Sequence, residues 1–295
     1  MSSSLTSMSP RLQSMPVLTP GGFVQLAWAE WGDANAARTA VCVHGLTRNG
    51  RDFDVLAEAL ARDGWRVVAP DVPGRGRSER LRRSEDYTYP VYLAALSALI
   101  GRLAVPSVAW IGTSMGGLIG MMLAAQPGTP IRRLVINDIG PFIPKASLQR
   151  IADYIGQERG FDSLEALEAY LRRVHAPFGA LTDAQWRHLA AYSSAPAEKG
   201  GLRLHYDPAI AQAFKAAPID DIALWPVWEA IACPVLVLRG AESDLLLEDT
   251  AEEMTRRGAA AARGQVRLRT IAGAGHAPAL MAPDQVAIVR EFLAA

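Results

Sequence analysis

Cysteine, lysine and long apolar runs are all scarce in this chain. Its 2 cysteines among 295 residues, Cys42 and Cys233, lie in or beside apolar strand-like runs. Buried reduced thiols are therefore expected, with a single disulfide as the minor alternative. Lysine occurs only at Lys145, Lys199 and Lys215, and 30 basic residues are matched by 30 acidic ones. That balance leaves no overall field to recruit nucleic acid or an anionic membrane. No stretch reaches the ~20 apolar residues of a membrane span. Residues 1–15 are serine-rich and lack the apolar core of a secretory signal, so they are expected to be a flexible extension of a cytoplasmic protein. No metal is expected, because no histidine or carboxylate pair falls at ligand spacing such as H-E-x-x-H. No cofactor is expected either: Gly74-Arg75-Gly76-Arg77 lacks both the lysine of a phosphate loop and the glycine pattern of a dinucleotide fold. The arginines at 75, 77, 80, 82 and 83 read as a solvated loop.

Half of the residues are hydrophobic, enough for a sizeable core. Phe23–Trp31 alternates loosely, as an antiparallel strand would. Thr39–Val43, Trp65–Ala69, Val108–Ile111, Ile131–Ile136, Pro234–Leu238 and Val266–Ile271 are apolar or strand-like runs with helix-spaced segments between most of them. That alternation predicts an α/β fold with a mostly parallel twisted sheet flanked by helices. From 142 to 222 the pattern changes to helices opening at capping residues such as Ser163 and Thr182, with no strand expected. The expected organisation is a core of 16–141 and 223–295 carrying a helical lid, 142–222.

The chemistry gathers at Gly112-Thr113-Ser114-Met115-Gly116, where a strand-length apolar run turns into a small-residue helix. A turn this sharp strains the serine backbone and needs neighbours without a Cβ. It also presents the hydroxyl at the N-terminus of the following helix. Serine is a weak nucleophile until a base takes its proton and a third group orients that base. Of five histidines, only His44 and His276 follow strands. His276, in the glycine-rich loop after the last strand, is the expected base, and His44 is expected to be structural. For the acid, Asp244 in the turn-rich loop after Leu238 is favoured. Asp138 is the second contender, with an alternative reading as the cap of the first lid helix, and Glu242 is a third. The backbone N–H groups of Leu46 and Met115 are candidate oxyanion donors, and Arg48 is a candidate for touching ligand.

Taken together, Val43-His44-Gly45-Leu46, Asp71 to Ser78, Gly112 to Gly117, Leu238 to Asp244 and Gly275 to Pro278 resemble the α/β-hydrolase superfamily, in its lid-bearing, serine esterase-like branch. The resemblance implies Ser114 as nucleophile, Asp244 as acid, His276 as base and Leu46 with Met115 as the oxyanion hole. It also implies a carboxylesterase acting on small esters through an acyl-enzyme. Hydrolysis of a carbon–carbon bond in ring-cleavage products, a lactonase or a thioesterase remain alternatives, and a non-catalytic small-molecule receptor is a further one. Serine at 114 argues against the dehalogenase and epoxide hydrolase branches, which need a carboxylate there. Apolar lid positions such as Leu164, Leu171, Phe178, Trp186, Leu204 and Phe214 suggest a greasy pocket for an apolar ester.

Overall fold

A computed structural model describes residues 8–157, 159–216 and 218–295. The chain begins with a hairpin, β1 (Arg11–Thr19) and β2 (Gly22–Trp31), followed by β3 (Arg38–Val43), helix α1 (Asp54–Arg62), β4 (Trp65–Pro70) and helix α2 (Tyr89–Leu103). Next come β5 (Val108–Thr113), helix α3 (Met115–Ala124) and β6 (Ile131–Asn137). The 142–222 segment holds β7 (Phe142–Ile143), α4 (Lys145–Tyr154), β8 (Gly160–Phe161), α5 (Leu164–Val174) and α6 (Asp183–Ser193). It continues through β9 (Ser194–Pro196), β10 (Leu202–Leu204), α7 (Ile210–Phe214) and β11 (Ile222–Ala223). The chain then completes the sheet with α8 (Trp225–Ala230), β12 (Val235–Gly240), α9 (Glu248–Arg256), β13 (Val266–Ile271) and α10 (Pro283–Ala294).

The large sheet runs β1-β2-β4-β3-β5-β6-β12-β13 and is parallel from β4 onward. Successive residues of its central strands face opposite layers. Val41 and Val43 join a core that includes Leu96, Leu99 and Ile119 from α2 and α3. Ala40 and Cys42 join one with Leu56 and Leu60 from α1 and Val289 and Phe292 from α10. Burial on both faces is why these strands read as continuous apolar runs. Both cysteines are free.

Two expectations are corrected. Residues 11–15 do not belong to a flexible extension: they open β1, whose whole length pairs with β2. Most of the strand's N-terminal half is exposed, so it carries no apolar pattern, and the neighbouring strand supplies its order. The 142–222 segment is not purely helical either. β8, β10 and β9 form a small antiparallel sheet, while β7 and β11 pair so that the segment's two ends meet. Strands of two or three residues are too short to show periodicity. The capping residues do act as read: Ser163 accepts from Ala166 N–H, and Thr182 forms a capping box with Gln185.

Helix α3 lies close against the sheet because glycines stand where its backbone meets the strands. A Cβ on Gly116 would stand 2.0 Å from the Val43 carbonyl oxygen, and one on Gly112 would stand 2.2 Å from the Gly116 oxygen. Trp110 fills the adjoining space and donates its indole N–H to Gly116 O at 2.9 Å. Gly116→Ala is therefore expected to destabilise the protein by about 3 kcal/mol or more, through forced backbone displacement. Gly101→Ala, on an exposed helical position where a Cβ meets nothing within 4 Å, should stabilise it by about 0.5–1 kcal/mol. Urea unfolding of the two variants would measure both.

Candidate active site

Ser114 occupies the turn between β5 and α3 with φ 51° and ψ −116°, a conformation costing a non-glycine residue about 1–3 kcal/mol. The turn is held from β6, since Ser114 N–H donates to Asn137 O at 2.9 Å. The serine hydroxyl lies 2.9 Å from His276 Nε2, and His276 Nδ1 lies 2.8 Å from Asp138 Oδ2. Nδ1 faces a carboxylate and so carries the proton, which leaves Nε2 free to accept from the serine.

Asp138 follows β6 directly, is fully buried and, like Ser114, has a positive φ, here 57°. Its Oδ1 accepts the Gly240 N–H at 2.7 Å, and its Oδ2 accepts the Ser243 hydroxyl at 2.6 Å besides the imidazole. Three donors, from the end of β12, the turn after it and the histidine loop, therefore converge on one buried carboxyl, as a group oriented for service must be held. Asn137, also buried, donates to Thr113 Oγ1 and to Pro278 O, tying the serine strand and the histidine loop to the same strand end.

The favoured acid, Asp244, is not in this constellation. Its side chain is half exposed and forms a bidentate pair with Arg150 of α4 at 2.7 and 2.9 Å, and its carbonyl accepts the Ser147 hydroxyl. The turn after β12 directs Ser243 inward and Asp244 outward. The residue this loop contributes is therefore a hydroxyl, and Asp244 ties the insertion to the core. Glu242 is exposed. The capping alternative for Asp138 also fails, because the residue before α4 is Pro144 and the Lys145 N–H is accepted by Asp221.

Leu46 and Met115 line the same cavity as Ser114, of about 470 Å³, within the usual range of small-ligand pockets. Met115 opens α3, so its N–H has no acceptor inside the helix. The remaining walls are largely apolar, with Leu118 and Ile139 from the core and Ile143, Ile151, Ile210 and Phe214 from the insertion. Of the apolar lid positions singled out in the sequence, Phe214 reaches this cavity, whereas Leu171 and Trp186 pack within the insertion. Arg48 is buried and held bidentately by Asp52 at 2.6 and 2.7 Å, beside a separate cavity of about 30 Å³. Arg75 departs from the solvated-loop reading: it is fully buried behind Leu46 and Met115. Its position inside the tight Asp71–Ser78 turn was the one available signal.

His44 is structural in its contacts. Its Nδ1–H donates to Gly45 O at 2.7 Å, and its Nε2 accepts the Val72 N–H at 2.9 Å. Burial pushes its pKa down to about 4, so the ring is neutral. Asp71, one residue before Val72, is pushed the other way by burial, up to about 6.

Residues 40–289 match the family model of the alpha/beta hydrolase family, and the chain belongs to that family. A 3-hydroxybutyrate-oligomer hydrolase from Cupriavidus necator is 46% identical over 294 residues, spanning 97% of this chain and 98% of that protein. Among solved structures, a Rickettsia typhi protein superposes with a TM-score of 0.89 at 32% identity, covering 96% of this chain and 99% of that one. An alpha/beta hydrolase from Novosphingobium aromaticivorans does so with 0.84 at 33% identity, covering 97% and 99%. The chain is accordingly a hydrolase, and its similarity to an oligomer hydrolase supports ester hydrolysis. Among the described residues no helix is long and apolar enough to cross a membrane.

The pKa of His44 carries a stability consequence. The unfolded ring takes up a proton near pH 6.5 and the folded one near 4, so its contribution is complete above pH 6.5 and is lost as pH falls toward 4, by about 3 kcal/mol. Asp71, with its raised pKa, contributes the opposite slope between its ordinary 3.8 and about 6. The two partly cancel in the wild type, and comparison with a His44 variant isolates the first. In urea unfolding at pH 7 and pH 4, His44→Gln should gain about 3 kcal/mol relative to the wild type on acidification. A parallel pH dependence of the two proteins would refute this.

Proposed function

We propose that the protein is a serine carboxylic-ester hydrolase in which Ser114 is the nucleophile, His276 the general base and Asp138 the orienting acid. The supporting observation is the continuous chain of contacts from Ser114 Oγ through both ring nitrogens of His276 to the buried Asp138. In the first half-reaction His276 Nε2 takes the serine proton as Oγ attacks the ester carbonyl. The oxyanion is stabilised by the Leu46 and Met115 N–H groups and by the N-terminus of α3. Collapse expels the alcohol, which leaves with the proton from His276. Water then attacks the acyl-enzyme by the same route and releases the acid. Asp138 keeps Nδ1 protonated and balances the imidazolium in both transition states.

The 142–222 segment acts as a lid, because its side chains supply much of the wall facing Ser114. An apolar cavity of this kind suits esters of short acids. Similarity to the 3-hydroxybutyrate-oligomer hydrolase over nearly the whole of both chains favours esters of small hydroxy acids, including short oligoesters, over plain alkyl esters.

An organophosphonate should label Ser114 stoichiometrically, and Ser114→Ala should lose p-nitrophenyl butyrate hydrolysis by about 10⁴-fold or more. Full activity in that variant would sink the mechanism. The choice of acid is tested separately. Asp138→Asn should reduce kcat by roughly 10³- to 10⁴-fold. Asp244→Asn removes only an exposed ion pair and should stay within about threefold of wild type. The opposite ranking would return the role to Asp244.

A further inference from the structure

Arg75 is fully buried, and no step of the proposed hydrolysis uses it. Its guanidinium donates to Leu46 O at 2.9 Å, to Pro73 O at 2.8 Å and to the Tyr92 hydroxyl oxygen at 2.9 Å, and it approaches Met115 Sδ at 3.7 Å. Leu46, Met115 and Tyr92 all line the cavity that holds Ser114. The cation therefore stands directly behind that wall, beside the proposed oxyanion donors. Burying a guanidinium costs several kcal/mol. Among the described residues none of its partners is a carboxylate, so its field falls on the neutral groups around it.

Tyr92 is where that field meets the cavity. Three tyrosines line this cavity, Tyr87, Tyr89 and Tyr92, and of these Tyr92 alone has a guanidinium donating to its oxygen. Tyr87 accepts the Leu81 N–H and donates to Asp207 at 2.6 Å, so both its capacities are used. The Tyr92 oxygen is taken by Arg75, and among the described residues its proton has no acceptor. A phenol whose oxygen is held by a cation is a strengthened donor, and a buried donor calls for an acceptor.

We infer that Tyr92, backed by Arg75, anchors an oxygen atom carried on the acyl chain of the substrate, so that the site selects oxygen-bearing acyl groups over plain alkyl ones. This rests on the ester-hydrolase reading and adds to it a residue that chooses the substrate. One guanidinium holds both the phenol and the carbonyl of Leu46, the residue whose N–H is a proposed oxyanion donor, and Tyr92 and Ser114 line one cavity. The acyl chain stays attached through both half-reactions, so an anchor on it acts in each. Arg75 touches no substrate and is a positioning residue for Tyr92 and the Leu46 turn.

The test compares kcat/KM for p-nitrophenyl 3-hydroxybutyrate and p-nitrophenyl butyrate, which share a leaving group and differ by one hydroxyl. The wild type should prefer the hydroxyacyl ester, and Tyr92→Phe should lower that preference about tenfold, since of the hydrogen bonds it removes the one to the acyl oxygen is made by only one of the two substrates. Arg75→Lys keeps the charge but loses the fork, and it should lower the same ratio. A wild-type ratio at or below one, or a ratio unchanged in Tyr92→Phe, overturns the inference. If Tyr92→Phe does not fold, the wild-type ratio decides. Failure of the wild type to cleave either ester, with no phosphonate label on Ser114, would sink the ester-hydrolase reading and this inference with it. A normal label with no preference removes the anchor alone.

Discussion

The site depends on one close approach, the passage of Gly116 against the end of β3 with no side chain between them. Because the α3 backbone can reach the Val43 carbonyl, the turn carrying Ser114 and the turn carrying Leu46 are brought face to face. A Cβ on Gly45 would stand 3.7 Å from that of Ser114. Ser114 alone in its turn keeps a side chain in a backbone conformation that penalises one. Rigid packing on every side is what holds that strain, with Trp110 bonded to the helix and Asn137 O bonded to the serine N–H.

A second dependence runs through the end of β6. Asn137 and Asp138 are consecutive and both buried, and between them they hold three loops. Asn137 reaches the serine strand and the histidine loop. Asp138 gathers His276, Ser243 and the Gly240 N–H. The sheet order explains the arrangement, because β6 lies between β5 and β12 and its carboxyl end is flanked by the loops of both neighbours. In the proposed mechanism this places the orienting carboxyl in a buried environment with three hydrogen-bond donors, which hold its geometry during proton transfer.

The insertion is coupled to this frame by polar contacts as well as by apolar packing. Arg150 meets Asp244, Tyr87 meets Asp207, and Asn49 donates to Tyr192 O. Substrate choice in the proposed function belongs to the wall they steady, where core residues around Ser114 face insertion residues such as Ile151 and Phe214. Arg75 belongs to the core side of that wall.

What the sequence alone determined is what depends on neighbours along the chain. The alternation of strands and helices, the glycine-flanked serine turn, the helix-capping residues and the histidine in its glycine-rich loop are all local patterns, and the structure brings Ser114 and His276 together. The order of strands across the sheet, and which way a turn points its side chains, depend on residues far apart in sequence, and these tertiary structure decided. Asp138 and Asp244 both follow strands, and both satisfy the order serine, acid, histidine. Only the placement of β6 beside β5, and the inward turn of Ser243, put Asp138 against His276 and Asp244 against Arg150. Arg75 escaped sequence reading for the same reason: its charge is ordinary in a loop, and only folding encloses it among Leu46, Tyr92 and Met115.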